Sequence, residues 1–208
     1  MRGTMVRVEW GVVLPVKRLG VAKSRLRGAV DAVPHERLAL ALAQDTVAAA
    51  VACPYVAEVL AVTDDPTVAD ALAALGARIA PDLPGAGLNA AFAYGASLLP
   101  GRPVAALAAD LPALRPEELA AALRDATARS YVADAPGTGT VLLTAPVGVP
   151  LEPRFGPGSA AAHRRSGALP LPGDWPTLRR DVDTAADLAA ATRLGLGPHT
   201  GAVASVQC

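Results

Sequence analysis

VVLPVKRLGVAKSRL, residues 12–26, is the stretch around which the rest of the chain is organised, because it joins a predicted buried strand to a loop rich in cations. The apolar start of this stretch predicts the strand, which Pro15 interrupts. The loop contains Lys17 and Lys23, which are the only two lysines of the chain, together with Ser24 and Arg25. Ammonium and backbone N–H groups on a strand-to-helix loop suit a ligand with several phosphate oxygens. The alternative is a solvated basic turn.

Composition limits the classes of protein to consider. The chain has 208 residues, of which 52% are hydrophobic and 18% are charged. This balance excludes disorder and predicts one domain, 1–208, with an extensive core. The formal net charge is zero at pH 7, so a nucleic-acid polymer is a poor partner, because phosphate-backbone binding normally needs a basic excess. A small phosphorylated ligand needs only local charge.

Cysteine usage and hydropathy favour the cytoplasm. Cys53 and Cys208 have no metal-binding spacing and form no disulfide framework, which is typical of a reducing compartment. The first residues lack the apolar core of a signal peptide. The long apolar run after Leu38 is interrupted by Gln44 and Asp45, so we expect no membrane-spanning helix.

Strands and helices alternate along most of the chain, which predicts an α/β fold with a mostly parallel sheet and helices on both faces. Beyond residue 131 the pattern changes, and two strands joined by the turn APGTG predict an antiparallel pair at the edge of the sheet. Predicted strands cover residues 12–14, 59–62, 77–80, 104–109, 131–134 and 140–144. The last predicted helix covers residues 185–194, and the tail from about 198 is expected to be loose.

Three aspartates are candidate metal ligands. Asp110 follows the apolar run 104–109, and the carboxyl end of a buried strand lies at the ligand edge of an open α/β sheet. Asp181 and Asp183 point to the same side if their segment is extended. Together the three carboxylates could bracket a pair of Mg²⁺ ions, which prefer oxygen ligands.

Structural roles for these aspartates stay open. Asp110 could simply end its strand and accept hydrogen bonds in a turn. Asp183 or Thr184 could cap the last helix, with Asp187 completing a capping box. Capping and metal binding can hold together.

Two glycine-bearing loops precede helices. In DLPGAGLN, residues 82–89, glycines allow close approach of the backbone to a ligand, and the single asparagine of the chain, Asn89, could contact a base or ribose. Asn89 could instead cap the helix. RFGPGS, residues 154–159, leads into a short helix and predicts a second, smaller anion site. His163 in that helix is expected to be a partly buried residue rather than a catalyst.

The motifs together resemble a known family. The strings LPVKRLGVAKSRL, GAGLNAA, ADLPAL, DAPGTGT, FGPGSAAAH and RRDVDTAADL occur in this order over about residues 12–194. They are similar to the phosphoenolpyruvate / 2-phospho-L-lactate guanylyltransferases of deazaflavin coenzyme F-420 biosynthesis. ADLP recurs across nucleotidyltransferases, whereas GTGT combined with FGPGSAAAH is more specific. One departure is the proline-rich linker LTAPVGVPLEP, residues 143–153.

The resemblance implies a three-layer α/β/α, Rossmann-like nucleotidyl-diphospho-sugar-transferase fold, with GTP as donor and Mg²⁺ as cofactor. It implies that the GTP phosphates are held by Lys17, Lys23, Ser24 and Arg25. It implies that the guanosine is lined by Gly87, Leu88 and Asn89. It implies that the metal ligands are Asp110, Asp181 and Asp183, and that the carboxylate of a three-carbon acceptor is received by Thr140, Gly156 and Ser159.

The implied reaction transfers GMP from GTP to the phosphate of phosphoenolpyruvate and releases pyrophosphate. Lys17, Lys23 and Asp110 are then expected to be catalytic, because lysines stabilise the leaving pyrophosphate and aspartate-bound metal reduces charge repulsion. Two alternatives stay open: the same reaction on 2-phospho-L-lactate, and cytidylyl or sugar-phosphate transfer on the same fold. The resemblance also implies a product handed on to a downstream transferase.

Overall fold

The computed structural model describes residues 9–20 and 33–205, and its strands form one sheet between layers of helices. The seven strands of the described chain are β1 (Trp10–Pro15), β2 (Val56–Val62), β3 (Arg78–Ala80), β4 (Val104–Leu107), β5 (Ser130–Ala133), β6 (Thr140–Ala145) and β7 (Leu169–Pro170). Their order across the sheet is β3-β2-β1-β4-β6-β5-β7.

Helices alternate with these strands. Over the described ranges they are α1 (His35–Ala52), α2 (Pro66–Ala73), α3 (Leu88–Ser97), α4 (Pro116–Asp125), α5 (Ser159–Arg165), α6 (Ala185–Leu194) and α7 (Pro198–Ala204). Within the part of the chain that the structure describes, no helix is both long enough and apolar enough to cross a membrane.

The predicted sheet is confirmed. β1 pairs in parallel with β2 and with β4, and β2 pairs in parallel with β3. β6 is antiparallel to both β4 and β5, so the change of direction falls at the side of the sheet where the sequence predicts an antiparallel pair. The short β7 closes this side by pairing in parallel with β5.

Alternating side chains of β1 contribute to cores on both faces of the sheet. Val12 and Leu14 belong to a cluster that also contains residues of α1, α2 and α4. Val13 belongs to a second cluster that contains Phe92 of α3 and Ala160 of α5. All three β1 residues have no exposed surface. Burial of both faces explains the uninterrupted apolar run in the sequence and produces the three-layer architecture.

The strand order creates a crevice between the ends of β1 and β4. The chain runs from β1 outward through β2 to β3, and then returns to form β4 on the other side of β1. The connections after β1 and β4 therefore leave in opposite directions. Ligands of open α/β sheets bind at such a switch point, outside the carboxyl ends of the strands.

The prediction of a loose tail from about residue 198 is wrong for residues 198–204, which form α7. The carboxylate of Asp45, in α1, accepts hydrogen bonds from the backbone N–H groups of His199 (3.0 Å) and Thr200 (2.7 Å). Thr200 is fully buried, and Asp45 is 5% exposed. A buried carboxylate on α1 thus satisfies the first turn of α7 and holds this helix on the domain.

Gly95 provides a test of the packing of α3 against the sheet. A Cβ atom at Gly95 would overlap the side chain of Val13 and lie 3.1 Å from Cγ2 of Val62. Because both valines are buried, Gly95→Ala is expected to lower the free energy of unfolding by about 1–3 kcal/mol. Urea denaturation of the purified variant measures this change.

Gly201 is the matched control, since it is also helical but a Cβ atom there would meet nothing within 4 Å. Gly201→Ala is expected to raise the free energy of unfolding by up to about 1 kcal/mol, because alanine loses less backbone entropy in a helix. Equal stability of Gly95→Ala and the wild type would contradict the described packing.

Candidate active site

A cavity of about 680 Å³ lies in the crevice at the carboxyl ends of β1 and β4. Its walls come from the segments after these two strands, from α1 and α3, from the turn between β5 and β6, and from the loop before α5. Eight residues predicted from the sequence line it: Lys17, Leu88, Asp110, Thr140, Gly156, Ser159, Asp181 and Asp183. The structure therefore brings together most of the candidate residues that it describes.

Lys17 follows β1 and lines the cavity with an exposed side chain. The chain around it is fixed at two points, since Val16 N–H donates to the carbonyl of Val62 (2.9 Å) and Leu19 N–H donates to the carboxylate of Asp65 (3.0 Å). The Leu19 hydrogen bond is the largest of the contributions that hold the pKa of Asp65 below its usual value of 3.8. Asp65 also caps α2, so α2 anchors the loop that carries Lys17.

Three other residues predicted to bind phosphate lie outside the described residues. They are Lys23, Ser24 and Arg25. Their assignment remains a prediction from the sequence.

Asp110 lies just beyond β4, and its backbone fixes the segment that carries the other two aspartates. Val182 N–H donates to the carbonyl oxygen of Asp110 (3.0 Å). The Val182 side chain is fully buried, whereas Asp181 and Asp183, on either side of it, line the cavity. Alternation along this segment thus turns both carboxylates toward the cavity.

These carboxylates do not form a ready-made metal cluster. Across residues 9–20 and 33–205, no group of three or more His, Cys, Asp or Glu side chains is arranged to hold a metal ion. The capping role left open in the sequence is also present. Thr184 caps α6 and forms a capping box with Asp187, whose carboxylate additionally accepts from Asp183 N–H (3.4 Å).

Asp134 organises the turn between β5 and β6 that forms another wall of the cavity. Its carboxylate accepts hydrogen bonds from the backbone N–H groups of Thr138 and Gly139, both at 2.8 Å. The Thr138 carbonyl in turn accepts from Ala160 N–H at the start of α5 (3.1 Å). Asp134 was not predicted as a site residue. The turn sequence APGTG directly after it is the signal that could have indicated this local role.

We call residues 154–159 the acceptor loop, because they contain the predicted contacts Gly156 and Ser159. Two side chains hold its backbone. The Asn89 amide donates to the Phe155 carbonyl (3.0 Å) and accepts from Phe155 N–H (2.7 Å). Nε2 of His163 accepts from Arg154 N–H (2.9 Å).

The role predicted for the start of α3 is only partly matched by the geometry. Leu88 lines the cavity, whereas Gly87 and Asn89 are not among its lining residues. Asn89 is also not the cap of α3, because Gly87 occupies that position and has a φ of 93°. No local pattern around Asn89 indicates its actual partner, since Phe155 is 66 residues away.

His163 is fully buried, and its two hydrogen bonds are those of a neutral imidazole ring. Because its Nε2 accepts from a backbone N–H, its Nδ1 carries the ring proton and donates to Oγ1 of Thr140 (2.9 Å). Burial, followed by the charges of Arg129 and Arg154, lowers the pKa of His163 from 6.5 to about 4. The expectation of a buried helix residue rather than a catalyst agrees with this position.

Phe155 is a further cavity residue that sequence reasoning missed. Its ring stacks on Phe92 with 4.3 Å between centroids, and the edge of the His163 ring approaches it at 5.2 Å. The FG pair at the start of FGPGS indicated a loop, but the chain has few aromatic residues and no local pattern that predicts this stack.

Sequence comparison identifies the chain's relatives. The family model described as "Guanylyl transferase CofC like" matches residues 10–164. A phosphoenolpyruvate guanylyltransferase of Salinispora arenicola is 67% identical over 92% of this chain and 91% of the relative. Relatives with the same name from Geodermatophilus obscurus and Mycolicibacterium gilvum are 57% and 46% identical, with 96% of this chain covered in both cases. They are covered over 96% and 97% of their own lengths.

Solved structures confirm the predicted fold. A putative nucleotide-diphospho-sugar transferase from Desulfovibrio desulfuricans G20 matches with a TM-score of 0.62 and 20% identity, over 87% of this chain and 85% of that one. A nucleotidyl transferase from Methanothermobacter thermautotroptrophicus matches with a TM-score of 0.64 and 16% identity, over 89% and 97%. At such identities the likeness establishes the three-layer nucleotidyltransferase fold and nothing finer.

The buried imidazole gives a pH prediction. A His163 pKa of about 4 in the folded protein, against 6.5 for the ordinary side chain, means that folding opposes protonation. This contribution to stability is complete above pH 6.5 and is lost as the pH falls toward 4. It amounts to about 3 kcal/mol over this interval.

The free energy of unfolding, measured by urea denaturation between pH 7 and pH 4, tests this prediction. His163→Gln removes the titrating ring, so its stability should fall less steeply with acid than that of the wild type. Other acidic groups titrate in both proteins and cancel in the comparison. Identical pH profiles would show that His163 is not held neutral by the fold.

Proposed function

The chain belongs to the family of CofC-like guanylyl transferases, and on this basis we propose that it transfers GMP from GTP to the phosphate of phosphoenolpyruvate, with release of pyrophosphate. Relatives at 67%, 57% and 46% identity carry a name that specifies this acceptor and the guanylyl group. Their names favour phosphoenolpyruvate over 2-phospho-L-lactate, and guanylyl over cytidylyl transfer.

The observation that carries the proposal is the composition of the cavity. Lys17 lines it together with the carboxylates of Asp110, Asp181 and Asp183, at the switch point of a nucleotidyltransferase fold. A volume of about 680 Å³ is typical of sites for small molecules and cofactors. Positive and negative groups around one such cavity suit a reaction in which polyphosphate and metal must both be held.

The reaction needs positioning more than a protein nucleophile. An oxygen of the acceptor phosphate attacks the α-phosphorus of GTP, and the bond from that phosphorus to the β-phosphate bridging oxygen breaks. No proton has to be removed from an ionised phosphate oxygen, so no general base is required. Lys17 lines the cavity, and its ammonium group offsets the negative charge that develops as pyrophosphate leaves. We propose the same role for Lys23, with Ser24 and Arg25 as further phosphate ligands.

We propose Mg²⁺ as the cofactor, held by Asp110, Asp181 and Asp183. Hard carboxylate oxygens suit this ion, and the Val182–Asp110 backbone hydrogen bond keeps the three residues at the same side of the cavity. Mg²⁺ sites commonly use one or two carboxylates plus substrate phosphates, which fits the lack of a ready-made cluster among the described residues. The bound ion would neutralise charge on the reacting phosphates.

The acceptor side of the cavity is formed by Thr140, Gly156 and Ser159. We propose that these residues receive the carboxylate of phosphoenolpyruvate. The Thr140 hydroxyl accepts from His163, which leaves its own hydrogen available to donate. On the guanosine side, Leu88 is the predicted residue that lines the cavity.

We place the reaction in the cytoplasm and in the biosynthesis of deazaflavin coenzyme F-420, as the family resemblance implies. The product joins GMP to an acidic three-carbon unit through a diphosphate. We propose that a downstream transferase takes this product.

Asp110→Asn tests the metal role without a large change of shape. Loss of one ligand charge is expected to lower the rate of pyrophosphate release from GTP and phosphoenolpyruvate about 100-fold or more. The thermal unfolding midpoint should stay near that of the wild type. Coupled pyrophosphate detection at saturating Mg²⁺ gives the rate.

Asp70→Asn is the control, because it makes the same chemical change at an exposed residue of α2. Its rate should match that of the wild type. A fully active Asp110→Asn variant would refute the proposed metal site.

A further inference from the structure

We propose that Asn89 and His163 are positioning residues that fix the acceptor loop and thereby set the affinity for the acceptor. Neither residue needs to touch substrate for this role. The inference rests on the proposed function, because it assigns the acceptor to the residues of this loop. It also gives Asn89 a role other than the guanosine contact that the family resemblance implies.

The Asn89 side chain acts like a strand partner for one residue of the loop. Its Oδ1 accepts from Phe155 N–H at 2.7 Å, and its Nδ2 donates to the Phe155 carbonyl at 3.0 Å. Both polar atoms of the amide are therefore bonded to the same residue. Such a pair fixes the position and the orientation of the backbone immediately before Gly156.

His163 holds the neighbouring residue from the opposite side. Its Nε2 accepts from Arg154 N–H at 2.9 Å, while its Nδ1 donates to Oγ1 of Thr140 at 2.9 Å. The ring is fully buried, so no water competes for these two bonds. One side chain thus fixes both the start of the acceptor loop and the rotation of the Thr140 hydroxyl.

The Phe155 side chain completes this arrangement. Its ring stacks on Phe92 of α3 at 4.3 Å between centroids and meets the His163 ring at 5.2 Å. Backbone and ring of one residue are therefore held by α3 on one side and by α5 on the other. Stacked and edge-to-face ring contacts stabilise a pair of rings beyond the area that they bury, so the ring contacts and the backbone hydrogen bonds hold the same short segment.

The loop needs such support because its sequence is intrinsically permissive. Gly156 and Gly158 have φ values of 134° and 71°, which glycine adopts at little cost but also leaves easily. Without the two side chains, the loop would have to be ordered when the acceptor binds, and that entropy would weaken binding. Leu88, the neighbour of Asn89 at the start of α3, lines the same cavity, so this helix end forms part of the cavity wall while its next residue supports the loop.

Asn89→Ala is the first test. We expect KM for phosphoenolpyruvate to rise about 10-fold, the effect of losing two main-chain hydrogen bonds. The dissociation constant for GTP, measured by calorimetry with Mg²⁺ and no acceptor, should change less than about 2-fold, since both polar atoms of the Asn89 amide are bonded to Phe155 rather than directed to a nucleotide. If Asn89 contacted guanosine instead, its removal would weaken GTP binding in the absence of acceptor.

Ser97→Ala is the matched control. Ser97 lies at the other end of α3 and also donates a hydrogen bond from its side chain to backbone, the Tyr94 carbonyl at 2.7 Å. Removing that bond should leave KM for phosphoenolpyruvate and the GTP dissociation constant unchanged. Weaker GTP binding in Asn89→Ala, or an unchanged KM, would overturn the proposal.

Hydrogen exchange gives a readout that does not depend on activity. In the protein without substrates, amides of residues 154–159 should exchange faster in Asn89→Ala than in the wild type or Ser97→Ala. Unchanged exchange in this loop would overturn the positioning role even if KM rises. A different pair of results is faster exchange of the loop in Asn89→Ala while the wild type fails to use phosphoenolpyruvate as acceptor. That pair of results would contradict the proposed function and leave the positioning role intact.

The His163→Ala variant tests whether the two side chains act on the same loop. If they do, combining it with Asn89→Ala should raise KM by clearly less than the product of the two single effects. Fully multiplicative effects would show that the residues act independently and would contradict a shared positioning role. GTP affinity again reports whether each variant is folded.

Discussion

Parallel pairing of β1 with strands on both of its sides is the constraint on which the rest of the structure depends. Val13 is opposite Leu60 of β2 and Ala106 of β4. Because β1 is central, both of its faces are buried and the chain must leave it toward one side and return on the other. The crevice, and the approach of Lys17 and Asp110 to one cavity, follow from that topology.

The part of the cavity that we propose for the acceptor is built differently. There, side chains rather than strand pairing hold the backbone: Asp134 the β5–β6 turn, Asn89 and His163 the acceptor loop. All three bond to main-chain groups, so their effect reaches the cavity through the conformation of a glycine-containing segment. The regular sheet thus places Lys17 and Asp110, and a small set of side-chain-to-backbone bonds shapes the turn and the loop on which the proposed acceptor contacts lie.

Features with local signals could be predicted from the sequence. The apolar run of β1, Lys17 after it, Asp110 after β4 and the Thr184 capping box each depend on residues a few positions apart, and each is present in the structure. Features that depend on distant partners could not. Asp45 holds Thr200 across 155 residues, and Asn89 holds Phe155 across 66. Nothing near α7 or α3 in the sequence indicates either contact.

Guanylyl transfer to phosphoenolpyruvate can be followed directly as the release of pyrophosphate. GTP and Mg²⁺ would be supplied with phosphoenolpyruvate, with 2-phospho-L-lactate or without acceptor, in the presence of a downstream transferase that removes product. We expect release that depends on phosphoenolpyruvate and on GTP. Release with 2-phospho-L-lactate alone, or with CTP in preference to GTP, would contradict this expectation.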